Sequence, residues 1–160
     1  MSVAFTKEDS AETAAEPVLP DRPISNAPNL VTQVGLDALK ASFLASRTAY
    51  EAAQQIEDIN ERRRKSAVPL RDMRYYAERT RTALVVPPVL THQFVSFGTT
   101  VTFRRDDGRT QTFRIVGEDE ADPRAGYISH VSPIARALLG KEVGDVVGAA
   151  DHELEVTSIC

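Results

Sequence analysis

Two hydrophobic periods divide this chain. From Thr32 onward, Leu36, Leu39, Phe43, Tyr50, Ala53 and Ile56 recur at spacings of three, four and seven. That places them on one stripe of a helix, with Thr32 as its N-cap. The remaining positions are mostly Ala, Ser, Gln and charged residues, so the stripe is narrow. A narrow seam predicts a coiled-coil hairpin rather than a helix buried in a globule. A second stripe, Leu70, Met73, Ala77, Thr80 and Leu84, runs at spacings of three, four, three and four and ends at Pro87-Pro88. Proline suits the first turn of a helix and breaks its interior. Pro69 therefore predicts a turn over Ser66–Pro69 and a second helix over Pro69–Val86, about 25 Å long at 1.5 Å per residue. The first helix could run nearly twice as far. It would have to bend or fray around Asp58–Lys65, or leave its far end unpaired.

At Phe94 the period becomes two. Val95, Phe97, Thr99, Val101 and Phe103 alternate with polar neighbours, and Asp106-Asp107-Gly108 makes a hairpin turn. Thr110, Thr112 and Arg114 then face away from Phe113 and Ile115. An acidic loop follows over Gly117–Asp122, and a short strand begins at Tyr127-Ile128. Ser132 caps a short helix, with Pro133 in its first turn and Gly140 past its end. Val143–Val147 and Leu154–Ile159 read as further strands. The class expected is α+β: an antiparallel helical hairpin at 30–86 and an antiparallel β domain with one short helix at 93–160.

Composition adds a third part. Residues 1–29 are rich in Ala, Glu, Ser and Pro with few large apolar groups, which predicts a disordered tail. It contains no apolar stretch of the kind a secretory signal needs, and nothing in the chain approaches a membrane span. The single cysteine, Cys160, excludes an internal disulfide and a cysteine-based zinc site. A cytoplasmic protein is expected. The net charge of −4 conceals a segregation: residues 61–82 carry eight basic and three acidic side chains, whereas 1–29 carry two and five. A basic island in an acidic chain points to a polyanionic partner.

Three constellations carry candidate chemistry. Glu118, Asp119, Glu120 and Asp122 put four carboxylates in five residues. They could offer oxygen ligands to a cation, although a solvated loop capping nearby amides is the commoner outcome. Arg62, Arg63, Arg64 and Lys65, with Arg71 and Arg74, could neutralise nucleic-acid phosphates or simply form a solvated helical face. Tyr75 and Tyr76 lie among them and could stack on bases, unless they belong to the coil seam. His92, His130 and His152 form no catalytic or metal-binding spacing, and no glycine loop for phosphate is present.

Ile115–Asp122 (IVGEDEAD), Ser132–Lys141 (SPIARALLGK) and Gly144-Asp145 resemble, in order and spacing, the C-terminal domain of the bacterial Gre (GreA/GreB) transcription elongation factors. The resemblance implies an FKBP-like fold for this domain without isomerase activity. It implies an accessory factor, not an enzyme, that binds RNA polymerase at the secondary channel and acts on stalled or backtracked elongation complexes. The family's docking surface then maps to Asp119, Glu120, Asp122, Ser132, Pro133 and Arg136. The basic residues of the coil would contact the 3′ end of the transcript. Members that stimulate transcript cleavage carry two acids at the coil tip, in the order Gly-Asp-Leu-X-Glu-Asn-Ala-Glu-Tyr. They bind no cofactor alone but help hold a Mg²⁺ of the polymerase. Matched to Val68–Tyr76, this order puts Pro69 at the first acid and Asp72 at the second. Asp58 and Glu61 would substitute if the hairpin turned earlier. The alternative is a non-catalytic secondary-channel regulator of the Rnk or DksA type. A polymerase-independent RNA-binding module rests on the basic island alone. The family precedent is a monomer.

Overall fold

The computed structural model describes residues 19–160, so most of the expected tail lies outside the described residues. Thr32 opens the first helix as expected: its hydroxyl accepts from the Gly35 amide at 2.9 Å, and α1 runs Gln33–Gln54. The hairpin then turns at once. Asp58 caps the second helix by accepting from the Glu61 amide at 2.7 Å, and α2 runs Ile59–Thr82. The Arg62 guanidinium reaches back to the Ile56 carbonyl at 2.7 Å, which satisfies an acceptor just beyond the end of α1.

The expected turn at Ser66–Pro69 is therefore absent. Pro69 sits inside α2, and Ser66 is buried in the seam, where its hydroxyl accepts from Gln54 Nε2 at 2.8 Å. A well-capped turn at Gln55–Asp58 lets the two helices pair along nearly equal lengths, 22 and 24 residues. That pairing outweighs the missing proline N–H, and no unpaired overhang remains.

Two short strands, β1 (Leu30–Val31) and β2 (Leu84–Val85), pair in parallel where the chain enters and leaves the hairpin. The remaining strands are β3 (Thr100–Arg105), β4 (Thr110–Val116), β5 (Tyr127–Ser129), β6 (Val146–Ala149) and β7 (His152–Ile159). They form one sheet in the order β5-β4-β3-β7-β6. The sheet is mixed rather than wholly antiparallel, because β5 runs parallel to β4 after a single 3₁₀ turn at Pro123–Ala125. The short helix α3 (Pro133–Leu138) packs Ala135 and Leu138 into a core with Val101, Phe103, Ile115, Ile128, Leu154 and Val156.

The alternation from Val95 to Phe103 marks burial, not a continuous strand. Val95, Phe97 and Thr99 are buried, yet pairing to β4 begins only at Thr100. The chain before it is laced to the end of α3 by Val95 N–H to Lys141 O at 2.8 Å and Gly140 N–H to Val95 O at 2.7 Å. It then bends at Gly98, whose φ of 87° favours glycine.

Candidate functional site

Three regions carry the chemistry: the joint between hairpin and sheet, the hairpin tip, and a groove along the hairpin.

The joint holds the acidic loop. Its anchor is Arg79, only 2% exposed. Arg79 donates to Asp119 at 2.6 Å and lies 3.5 Å from Glu118. Its backbone carbonyl accepts from Asn29 Nδ2 at 2.7 Å. The Tyr75 hydroxyl also donates to Asp119. Burial, reinforced by that hydrogen bond and by the Asp119 charge, pushes Tyr75 up to about 12. Glu120 accepts from the Thr32 hydroxyl at 2.6 Å. Gly117 lets the loop pass so close to Leu30 O that a Cβ there would collide. The carboxylates of Glu118, Asp119 and Glu120 are thus spent on holding the hairpin. Asp119 and Glu120, expected to face a partner, both bond within the joint, and among the described residues the loop groups no set of side chains to hold a metal ion. A buried Arg cannot remain without counter-charge, and these acids supply it.

The other expected docking residues have mixed duties. Asp122 caps the 3₁₀ turn by accepting from the Arg124 amide at 3.2 Å. Ser132 caps α3 by accepting from the Ala135 amide at 3.3 Å. Asp122, Pro133 and Arg136 are exposed.

At the tip, Glu57, Asp58 and Glu61 are exposed. Sequence reasoning offered Asp58 and Glu61 only on condition of an earlier turn, and it missed Glu57. Asp72 is not at the tip. It lies 14 residues into α2 from its N-cap Asp58, about 21 Å at 1.5 Å per residue. There it pairs with Arg71 at 2.9 Å and Arg22 at 3.6 Å. The error follows directly from reading Pro69 as a helix start. Among the described residues no three His, Cys, Asp or Glu are grouped to hold a metal ion.

The basic island is α2 itself. Arg62, Arg63, Arg71 and Arg74 line one groove of about 480 Å³, whose apolar floor includes Tyr50, Ile59, Ala67 and Leu70. Arg64 and Lys65 do not line it, but both are exposed. Tyr75 and Tyr76 are not free stacking platforms. They pack edge to face at 5.3 Å, and Arg22 lies 3.8 Å over the Tyr75 ring centroid.

Arg22 belongs to residues 19–29, the part of the expected tail that is described. They form a strap along α2: Asp21 lies 3.6 Å from Arg74, and Ser25 donates to Glu118 at 2.8 Å. Paired charges and the Tyr75 face hold this polar segment where apolar burial alone would not. No described helix is long and apolar enough to cross a membrane.

A family model described as "Transcription elongation factor, GreA/GreB, C-term" matches residues 90–159. A transcription elongation factor GreA from Methylobacterium sp. (strain 4-46) is 34% identical over 135 residues, covering 84% of this chain and 80% of its own length. This chain belongs to the GreA/GreB family of transcription elongation factors. A GreA from Mesorhizobium japonicum is 39% identical over 118 residues, with 69% of this chain and 70% of its own length covered. Among solved structures, GreA factor homolog 1 (Gfh1) of Thermus thermophilus aligns over 84% of this chain and 99% of its own, at a TM-score of 0.40 and 19% identity. Family membership rests on the sequence relatives, whose matches extend beyond the C-terminal domain into the hairpin.

Proposed function

We propose that this Gre-family chain works on RNA polymerase in the cytoplasm, entering the secondary channel hairpin-first and acting on stalled or backtracked elongation complexes. The single observation that carries this reading is the position of Asp58 and Glu61 at the turn of the hairpin. The segment Asp58-Ile59-Asn60-Glu61 repeats the Asp-Leu-X-Glu order of the family tip, with isoleucine for leucine. The two acids therefore stand at the end of the molecule that would reach furthest.

Nothing at this tip could act alone. Asp58 commits one carboxylate oxygen to capping α2, and the Glu61 carboxylate makes no hydrogen bond or ion pair among the described residues. The pair suits a shared role, in which the polymerase's own Mg²⁺ polarises the attacking water and this chain contributes carboxylate oxygens beside it. No enzymatic activity is assigned to this protein by itself. Exposed Asp122, Pro133 and Arg136 are the docking residues this reading retains, and the arginine groove would face the 3′ end of the transcript.

The same cap favours a second reading. With Asp58 engaged in the cap, Glu61 is the one acid of the Asp-Ile-Asn-Glu order whose carboxylate makes no hydrogen bond or ion pair among the described residues, and a factor with one free acid in that order would occupy the channel without stimulating cleavage.

A transcript-cleavage assay on backtracked complexes with the cognate polymerase separates the two. Asn is as good an N-cap as Asp, so Asp58→Asn tests the charge without melting the turn. Release of short 3′ RNA fragments that is lost in Asp58→Asn and Glu61→Gln but kept in Asp72→Asn supports the first reading. Binding without fragment release supports the second. No measurable affinity for the polymerase refutes both.

A further inference from the structure

Beneath the strap lies a receptor for one arginine side chain. Tyr75 and Tyr76 meet edge to face at 5.3 Å, so their rings form an angled wall on α2. The Arg22 guanidinium lies 3.8 Å from the Tyr75 centroid and 5.1 Å from that of Tyr76, both within cation–π range. Its Nη1 stands 3.6 Å from Asp72 Oδ1. Two aromatic faces beside a carboxylate suit a planar guanidinium, which stacks, better than a compact ammonium.

The receptor is held independently of the strap. The Tyr75 hydroxyl donates to Asp119, Asp119 is fixed by buried Arg79, and Asp72 is fixed by Arg71 at 2.9 Å. The strap, by contrast, is held lightly. Pro20, Asp21, Pro23, Ile24 and Ser25 are all exposed. The Asp21–Arg74 pair leaves its side chains 71% and 60% exposed, and ion pairs of that kind contribute little. Arg22 therefore seats residues 21–25, in a site it can leave.

The neighbouring contacts define what would replace it. Arg74 takes the acid directly before Arg22. Glu118 takes the hydroxyl three residues after it, with Ser25 donating at 2.8 Å. The receptor is thus matched to an extended segment of the order acid-arginine-x-x-hydroxyl rather than to a lone guanidinium. Tyr75, Tyr76 and Asp72 lie outside both the hairpin tip and the arginine groove.

We propose that Tyr75, Tyr76 and Asp72 form an arginine-binding site for an extended segment of a partner protein, closed in this chain by its own Arg22. The partner's arginine enters when residues 21–25 lift, so the strap is an autoinhibitory contact. The site does not depend on the channel reading. A site closed about nine-tenths of the time binds its ligand about tenfold more weakly.

Nuclear magnetic resonance titrations at low salt, following the Tyr75 and Tyr76 ring protons, compare the full chain with its Arg22→Ala variant. The probe is acetyl-Asp-Arg-Pro-Ile-Ser-amide, the strap sequence in free form. The same peptide with lysine for arginine controls for charge and ionic strength. Arg22 lies outside both hydrophobic seams, so the variant should keep the amide spectrum of the fold. The arginine peptide should give saturable shifts in Arg22→Ala, with the lysine peptide at least about fivefold weaker. Adding Asp72→Asn to Arg22→Ala should weaken the arginine peptide by at least about fivefold. The wild-type chain should bind it roughly tenfold more weakly than Arg22→Ala.

No saturable shift in Arg22→Ala, equal affinity for the two peptides, or no effect of Asp72→Asn would overturn the site. Equal affinity of wild type and Arg22→Ala, or no measurable binding to wild type, would overturn the autoinhibition. Acetyl-arginine-amide binding as tightly as the peptide would make this a site for free guanidinium compounds and overturn the partner segment.

Discussion

The joint makes the sharpest energetic prediction. Arg79→Met keeps most of the side-chain volume and removes the charge. Arg79 is 3% exposed at its side chain, and its partners Asp119 and Glu118 are 16% and 23% exposed. At an effective dielectric near 20, each close pair is worth up to about 4 kcal/mol of Coulomb attraction. Desolvation offsets part of that, and the partly wet carboxylates recover some hydration when the arginine leaves. Removing one partner of a buried pair typically costs about 3–5 kcal/mol. The partial exposure here brings the expectation down to roughly 2–4 kcal/mol.

The carboxylate left behind is the main source of that cost, so removing its charge as well should restore much of the loss. Arg79→Met/Asp119→Asn is expected to be more stable than Arg79→Met alone. The double-mutant cycle should give a coupling of about 1–3 kcal/mol. Urea unfolding followed by circular dichroism measures each corner, with the midpoint and slope fitted separately. Because the pair is buried, the penalty should change little between low and moderate salt. A cost below about 0.5 kcal/mol for Arg79→Met, or zero coupling, would refute the reasoning. Arg79 would then be a passenger, and the hairpin would be held by β1–β2 and the strap.

Four further outcomes follow from single positions. Pro69→Ala should stabilise the protein by at least about 1 kcal/mol, because proline inside a helix is disfavoured by about 3 kcal/mol relative to alanine; an unchanged or lower urea midpoint would mean that Pro69 begins a helix after all. Gly117→Ala should cost about 1–3 kcal/mol from the clash with Leu30 O, and a neutral effect on thermal unfolding would show the joint to be loosely packed. Tyr75, held neutral by burial and by Asp119 up to about 12, contributes stability that is intact below its ordinary pKa near 10 and lost between there and about 12; a tyrosinate absorbance titration should show one late residue that titrates earlier in Asp119→Asn. Burial lowers His130, which packs edge to face on Phe97 at 5.6 Å; the unfolded chain takes up the proton first, so stability should fall as pH drops below about 6.5, and His130→Phe should lack that component in urea midpoints compared between pH 7.5 and pH 5.

What was legible in the sequence follows from how local each signal is. Ser132 and Pro133 start α3, Asp107-Gly108 turns the β3–β4 hairpin, and the alternation from Val95 to Phe103 names buried residues, because each feature is decided within a few positions. The strand boundary at Thr100 was not legible, since it depends on Gly140 and Lys141 taking the hydrogen bonds of Val95. The hairpin turn shows the same limit with more at stake. Pro69 is the loudest helix-boundary signal in the chain, while Asp58 and Glu61, at capping-box spacing, are a quieter one. The choice between them is made by pairing length: turning at Gln55–Asp58 lets α2 run against all of α1, and that seam outweighs one absent backbone hydrogen bond. The same choice moves the tip acids from Asp72 to Asp58 and Glu61. The acidic loop fails for a related reason, because its counter-charge, Arg79, is 40 residues away from Asp119 and lies within a basic run that reads as solvent-facing. Charged residues that look free in sequence are often each other's partners in the fold, and here that pairing separates the acids that lock the joint from those that remain available at the tip.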